Sequence, residues 1–282
     1  MKTLEERCPI TALSRAFGVS RSGYYHWRAA RPTVRASEDA RLLVELKAVH
    51  ARSRNTYGRP RLLRALREGG EKTSAKRVAR LMRAGGLRGV RRGGYRPRTT
   101  DSRHRLTCSP NLLRGAPAPP RPNQVWVSDI TYIPTREGWL YVAGVLDRCS
   151  RRVLGLAMGP RLDATLPQAA LRQALLRRGP VPRGLIHHSD QGVQYASILY
   201  QQTLKGFGLV SSMSRKAHCE DNAHMESFWG TLKAELMAGR MFATREHARR
   251  AIFEYIEVFY NRLRLHSALG YQSPVDFEAN LN

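Results

Sequence analysis

Apolar residues recur along this chain with two different periods, and the change from one to the other divides it. In the first ninety residues the spacing is three or four, the period of a helix face. Ile10–Ala16 is a short stretch of this kind, followed by Phe17-Gly18-Val19-Ser20 and a second stretch over 21–28. Gly18 can take the positive φ of a tight turn and Ser20 is a good N-cap, so residues 1–36 predict a short helix-turn-helix. Residues 37–95 predict a second helical unit. Ser37 can cap a helix carrying Leu42, Leu43, Leu46 and Val49; another runs from about Arg61 to Glu68; a third opens at Thr73 or Ser74 and stops at Gly85-Gly86. In the third, Val78, Leu81 and Met82 form the apolar stripe, with Lys76, Arg77, Arg80 and Arg83 on the other side. One buried stripe opposite one basic face suits a groove or a phosphate backbone. In the first unit, Arg21, Tyr24 and Arg28 are available to the same kind of surface.

From residue 123 the period shortens to two. The runs 124–133, 139–147 and 152–158 are β-branched and aromatic and are joined by short turns, which predicts an antiparallel meander. Helix and strand then alternate: a helix over 164–178, a strand over 184–189, a helix over 196–207 and a strand over 209–213. Two further helices cover 223–237 and 245–263, the last with Ile252, Tyr255, Ile256, Phe259 and Leu263 at helical spacing. Three hairpin strands followed by alternating helix and strand imply a mixed sheet flanked by helices over 123–282, an α/β domain behind an all-α front. Between the two, residues 96–122 are rich in Arg, Gly and Pro and end in GAPAPPRP, which predicts an extended linker.

Charge sharpens this division. The 282 residues hold 48 Lys and Arg against 22 Asp and Glu, a net charge of +26. Residues 1–122 contain 29 basic and 8 acidic side chains, residues 123–282 only 19 and 14. Lysine accounts for 7 of the basic residues, and the remainder are arginine, whose fork matches phosphate oxygens. A front half so basic attracts a polyanion in a salt-dependent way, and nucleic acid is the expected partner. The longest uncharged apolar run, residues 139–146, is far too short to span a bilayer, and the N-terminus lacks a signal-like apolar stretch, so a cytoplasmic protein is expected. Cys8, Cys108, Cys149 and Cys219 are too scattered for a zinc module or a disulfide framework.

Three acids in the weakly charged half stand where folding alone would not place them. Asp129 interrupts the strand VWVSDITYI on the face shared by Val127 and Thr131. Asp190 follows the apolar strand GLIHHS, at the C-terminal end of a sheet strand, where open α/β folds place ligands. Glu226 lies in AHMESFWGTLKAEL beside the stripe Met225, Phe228, Leu232 and Leu236, flanking the buried face, and Lys233 follows seven residues later on the same side. Three carboxylates cannot stay ionised together without a cation, and hard oxygen donors suit a pair of Mg2+ ions, with Mn2+ able to substitute. Such a site promotes in-line displacement at phosphorus, with Lys233 on a neighbouring phosphate.

The segments VWVSDITYIPTREGWLYVAGVLD, GLIHHSDQGVQYAS, SMSRKAHCEDNAHMESFWGTLKAEL and FATREHARRAIFEYIEVFYNRLRLHSALGYQSP closely resemble the catalytic half of bacterial transposases of the insertion-sequence-3 family. Thirty-five residues separate Asp190 from Glu226, the spacing of that family and of the related retroviral integrases. YGRPRLLRAL and KRVARLMRAGGLRG resemble the family's second helix-turn-helix region. The resemblance implies a ribonuclease-H-like fold and a catalytic triad of Asp129, Asp190 and Glu226. It also implies end cleavage and strand transfer of an insertion sequence, on terminal inverted repeats and target DNA, by a homo-oligomer associated with the nucleoid. It further implies an upstream reading frame, with another DNA-binding segment and a coiled coil, fused to this part by frameshifting. Ser128 and Ala217 depart from the commoner residues of the family, Ala217 in the loop before the glutamate helix.

Other residues have simpler expectations. Asp147 is a fourth acid at a strand end, expected to be structural. Glu220 and Asp221 are expected to cap the Glu226 helix, at least one of His187 and His188 to serve packing, and Arg215 and Lys216 to meet phosphate. Gln191, Gln194 and Tyr195 stand in the turn after Asp190, within reach of substrate. A DNA-binding regulator or inactive remnant would use the basic front half and need no metal. A ribonuclease acting on RNA–DNA hybrids would share the acids but leave two helix-turn-helix units without a role.

Overall fold

A computed structural model describes residues 2–29, 33–91, 106–215, 218–237 and 241–281. The front is all helical: α1 (Ile10–Ala16), α2 (Arg21–Ala29), α3 (Val34–Arg52), α4 (Arg59–Glu68) and α5 (Ala75–Ala84). Gly18 takes φ +64° in the α1–α2 turn, as its lack of a Cβ allows. Ser74 caps α5, its hydroxyl accepting from the Arg77 amide. α3 begins earlier than its sequence suggests because Thr33, not Ser37, is the cap that accepts from Ala36. Val78, Leu81 and Met82 are buried against Leu42, Leu46, Leu62 and Leu66, closing a three-helix unit.

Among the described residues five strands follow: β1 (Val125–Thr135), β2 (Gly138–Asp147), β3 (Val153–Gly159), β4 (Ile186–Ser189) and β5 (Val210–Met213), in the spatial order β3-β2-β1-β4-β5. β1, β2 and β3 form the antiparallel meander, and β4 and β5 add in parallel beside β1. α6 (Thr165–Arg178), α7 (Val193–Ala196) and α8 (Ile198–Gly206) connect the parallel strands; α9 (Ala223–Leu232), α10 (Arg245–Glu254) and α11 (Pro274–Ala279) complete the chain.

The alternation of side chains along β1 sorts the core into two layers. Val125, Val127 and Ile133 pack with Met225, Phe228, Trp229 and Leu232 of α9, whereas Trp126 packs with Leu171 of α6 and Tyr200 of α8. On the α6 side, Gly155 lets the helix come against the sheet: a Cβ there would lie 1.9 Å from the Ala170 carbonyl oxygen.

Further features differ from the sequence expectation. α9 and α10 do not run on as α-helices; each passes into a π-helical turn, Lys233–Met237 and Tyr255–Tyr260. The second of these ends at Tyr260, so Leu263, expected on the buried stripe, lies beyond the helix and is exposed. Residues 106–122, expected as linker, lie against the sheet. Ser109 donates to Ser211 at 2.8 Å, the Leu112 amide to Ser212 at 2.9 Å, and the Met213 amide to the Pro110 carbonyl at 3.3 Å. Arg148 holds the Ala116 and Pro117 carbonyls.

Candidate active site

Strand pairing brings the first two acids side by side. β1 and β4 are parallel with Val127 opposite His188, so two residues further on Asp129 stands beside Asp190, just past the last residue of β4. On its other flank Asp129 pairs with Gly144, where a Cβ would sit 3.0 Å from the Trp229 ring and 3.3 Å from Met225. The bare position thus seats α9 over the strand. Asn222, immediately before α9, donates from Nδ2 to the Ser128 carbonyl at 2.9 Å, tying the first turn of α9, and with it Glu226, to the strand that bears Asp129.

Electrostatically the acids form one group. Asp129 is pushed well above the ordinary carboxylate range, first by burial, then by the Asp190 carboxylate and by Glu226; the Ile130 amide, donating to Oδ1 at 2.8 Å, and Lys233 oppose the shift. Lys233 is itself lowered by burial and supported by Asp129, and its Nζ lies 5.5 Å from the centre of the Tyr132 ring. Asp190 accepts from the Gly192 amide at 2.9 Å, which orients it within its turn. Glu226 is exposed rather than flanking the buried face, because Met225 and Phe228 take the inward positions on either side of it. Among the described residues no group of three His, Cys, Asp or Glu side chains is drawn close enough to cage an ion by itself. The donors still fit a hard divalent cation: all are carboxylates, and at Asp129 the two neighbouring acids and desolvation outweigh the opposing Lys233.

Beneath the acids the polar groups are packed and neutral. His187 meets Ser128 at 2.8 Å and Tyr200 at 3.0 Å, and burial lowers its pKa to about 3. His188 meets Ser212 and Ser214, with its pKa lowered to about 4, again by burial. Tyr195 does not face substrate: it is buried at 1% exposure near Asp129 and Asp190, and its hydroxyl has no hydrogen-bond partner among the described residues. That burial is not legible in the sequence, since a turn residue is ordinarily exposed. Asp147 is fully buried and accepts from the amides of Asn123, Cys149 and Ser150, a structural clamp on the β2–β3 turn. Asp221 does not cap α9. It takes Arg215 through both backbone and guanidinium, and Asn111 besides, and the Arg215 hydrogen bonds hold its pKa down to about 2. Arg215 is therefore engaged within its own loop. Lys216, Ala217 and the Glu220 side chain lie outside the described residues.

The basic groups of the front half separate into two kinds. Tyr24 is buried, and its hydroxyl donates to Glu5, so it holds α2 to the N-terminal turn instead of facing DNA. Arg28 pairs with the same Glu5 at 3.0 Å, while Arg21 is exposed. On α5, Arg77 and Arg80 both bind Asp39, at 2.7 and 2.6 Å, and Arg77 also reaches Glu38. Lys76 and Arg83 are exposed.

Residues 119–219 and 226–281 match the integrase core domain family, and residues 37–95 match the HTH-like domain family. The chain is 48% identical over 265 residues to the insertion element IS600 uncharacterized 31 kDa protein of Shigella sonnei, covering 94% of this chain and 97% of that one. It is 43% identical over 271 residues to transposase InsF for insertion sequence IS3A of Escherichia coli K12 (95% and 93% covered). It is 42% identical over 250 residues to the transposase for insertion sequence element IS904 of Lactococcus lactis (88% and 97%). Among solved structures it is similar to the HTLV-2 integrase catalytic core domain in complex with magnesium, with a TM-score of 0.44 and 15% identity over 56% of this chain and 98% of that one.

An integrase core with a ribonuclease-H-like sheet, preceded by an HTH-like helical region, defines a DNA-binding polynucleotidyl transferase of the DDE class. Within that class the chain belongs to the insertion-sequence-3 family of transposases. Among the described residues no helix is long and apolar enough to cross a membrane.

Proposed function

We propose that the chain cleaves the ends of its insertion sequence and transfers the freed 3′-hydroxyl to a second phosphodiester, with Asp129, Asp190 and Glu226 as the catalytic acids. One observation supports the reading: the parallel register of β1 and β4 sets Asp129 beside Asp190, and Asn222 ties the first turn of α9, which bears Glu226, to the Ser128 carbonyl of the same strand. These three side chains would hold two Mg2+ ions, with Mn2+ able to replace them. Bound there, the ions supply activation of the attacking hydroxyl and neutralise the leaving oxygen. Lys233, over Tyr132 and beside Asp129, places a positive charge for the phosphate flanking the scissile bond. Asp190 is kept in place by the Gly192 amide, and α9 by Asn222 on the Ser128 carbonyl. Of the described basic residues expected at DNA, Lys76 and Arg83 of α5 and Arg21 of α2 are exposed and pair with no acid in the described residues, so they are available to phosphate. Arg77, Arg80, Arg28 and Arg215 can add to these only by sharing with the acids they now hold. Residues 1–36, 37–95 and 123–282 would act as two DNA-binding units and a catalytic domain, assembled as a homo-oligomer on inverted repeats and target DNA.

Cleavage of a duplex bearing the element's end tests the assignment. In Mg2+, Asp129→Asn, Asp190→Asn and Glu226→Gln should each lose at least about a hundredfold in rate while binding the duplex as tightly or more so. Undiminished cleavage by any one of them removes that residue from the triad, and cleavage without divalent metal refutes the mechanism.

A further inference from the structure

The three-helix unit α3–α5 does not hang on a tether beside the catalytic domain. Its apolar residues belong to the same buried cluster as α9 and α10, and the contact is completed by directional polar bonds. Tyr57, in the α3–α4 turn, is buried; its hydroxyl donates to the Leu263 carbonyl at 3.3 Å and accepts from the Leu265 amide at 2.7 Å. Arg61, on α4, donates from Nε to the Leu265 carbonyl at 2.8 Å, and its guanidinium lies 5.7 Å from the Tyr57 ring. The same ring meets Phe259 with 6.3 Å between centroids, and Arg54 pairs with Glu254 at 2.8 Å. Two side chains of the helical unit thus grip the three-residue segment 263–265 at its ends, through backbone atoms of Leu263 and Leu265.

The middle one of those three turns the other way. Arg264 forks onto both oxygens of Glu235, at 2.8 and 2.6 Å, with both side chains nearly inaccessible to solvent. Tyr255 adds a third bond to Glu235 at 2.8 Å. Glu235 sits in the π turn that continues α9, two residues beyond Lys233 and nine beyond Glu226. The segment 263–265 therefore holds the DNA-facing unit on one side and the helix of Glu226 and Lys233 on the other. A bidentate buried ion pair and hydrogen bonds to fixed backbone atoms are stiff, short-range contacts.

We infer that 263–265 is a rigid bracket, with Tyr57 and Arg61 as positioning residues, that keeps the basic face of α5 at a constant offset from the catalytic acids. The place where α5 sits on a duplex then fixes which phosphodiester reaches Asp129, Asp190 and Glu226. This deepens the reading given under Proposed function and rests on it for the identity of the acids.

Two readouts on the full-length chain separate the bracket from the chemistry. The first is hydroxyl-radical footprinting, without added Mg2+, on a duplex carrying the element's own terminal sequence. The wild type should protect two patches at a fixed separation. The double variant Tyr57→Phe/Arg61→Met should keep the α5 patch with its affinity within about twofold and lose most protection of the second. Tyr57→Phe alone preserves the ring and its packing, so the fold is retained; it should weaken the second patch about two- to fivefold, and Arg61→Lys should lose less than Arg61→Met. The second readout is the cut position in Mg2+, expected to be single in the wild type and spread over neighbouring phosphates in the double variant. An unchanged second patch in both Tyr57→Phe and the double variant, or a single unshifted cut in the latter, overturns the bracket. If the footprints change as expected but no chain cuts, the bracket stands and the phosphoryl-transfer reading fails.

Discussion

Asp129 is at odds with its own strand. Burial and the neighbouring acids raise its pKa. A carboxyl with a higher pKa folded than unfolded stabilises the fold below its unfolded pKa, and that contribution disappears as pH rises through the folded value. Without a cation, ionising Asp129 beside Asp190 and Glu226 therefore works against the fold, and a divalent cation bound there would relieve it. Asp129→Asn should raise the metal-free Tm by a few degrees, since 1 kcal/mol is worth roughly 2–4 °C at this size, and should abolish stabilisation by Mg2+. Differential scanning fluorimetry with and without Mg2+ checks both; a less stable asparagine variant would contradict the account. His187 has the opposite sign. Its pKa is depressed from 6.5 to about 3, so its contribution is complete above 6.5 and is lost as pH falls toward 3. Across pH 6 to 4 it should account for about 1.4 kcal/mol of lost stability per pH unit, and His187→Asn should flatten the acid limb of a urea-denaturation series by that amount.

At the scale of elements, the tightest constraint is the contact of α6 with β3. A methyl group at Gly155 would overlap the Ala170 carbonyl, backbone against backbone, with no flexible side chain to yield. Gly155→Ala should destabilise the protein by about 1–3 kcal/mol or more, measured as a fall in Tm, with no direct effect on the acids. The sequence foretold the strands and helices because period and turn chemistry are local: β1 alternates between two cores, and Ser74 caps α5 as expected. It could not foretell the π turns after Leu232 and Glu254, since apolar spacing hardly distinguishes a π turn from an α turn. Nor could composition show that residues 106–122, proline-rich and polar, would find partners along β5. The candidate acids stand out for a different reason. A carboxylate inside an apolar strand or at its end needs a partner, which Asp147 finds in backbone amides and Asp129 only in part, whereas the exposure of Glu226 depends on how α9 rolls against β1, which the sequence leaves open.

The whole molecule joins a basic front to a nearly balanced catalytic half, but formal charge overstates the charge available for DNA. Arg77 and Arg80 lie 38 and 41 residues from Asp39, a pairing invisible along the chain, and both are held by it. The contact of Tyr57 with Leu263 spans 206 residues and ends on backbone atoms, so no side-chain pattern announces it. Salt dependence separates the free cations from the occupied ones, because each phosphate neutralised releases condensed counterions and sets the slope of log K against log salt. Lys76→Gln and Arg83→Gln should each reduce the magnitude of that slope by about 0.9 on duplex DNA, with a uniform loss of affinity across sequences. Arg80→Gln should change the slope less, because its guanidinium must leave Asp39 to reach a phosphate, and should chiefly loosen α5 from α3. Fluorescence anisotropy between 50 and 300 mM salt, on about the same duplex length throughout, measures all three slopes. Equal reductions for Arg80 and Lys76 would mean that the Asp39 pairing opens on binding and that the full basic face of α5 meets DNA.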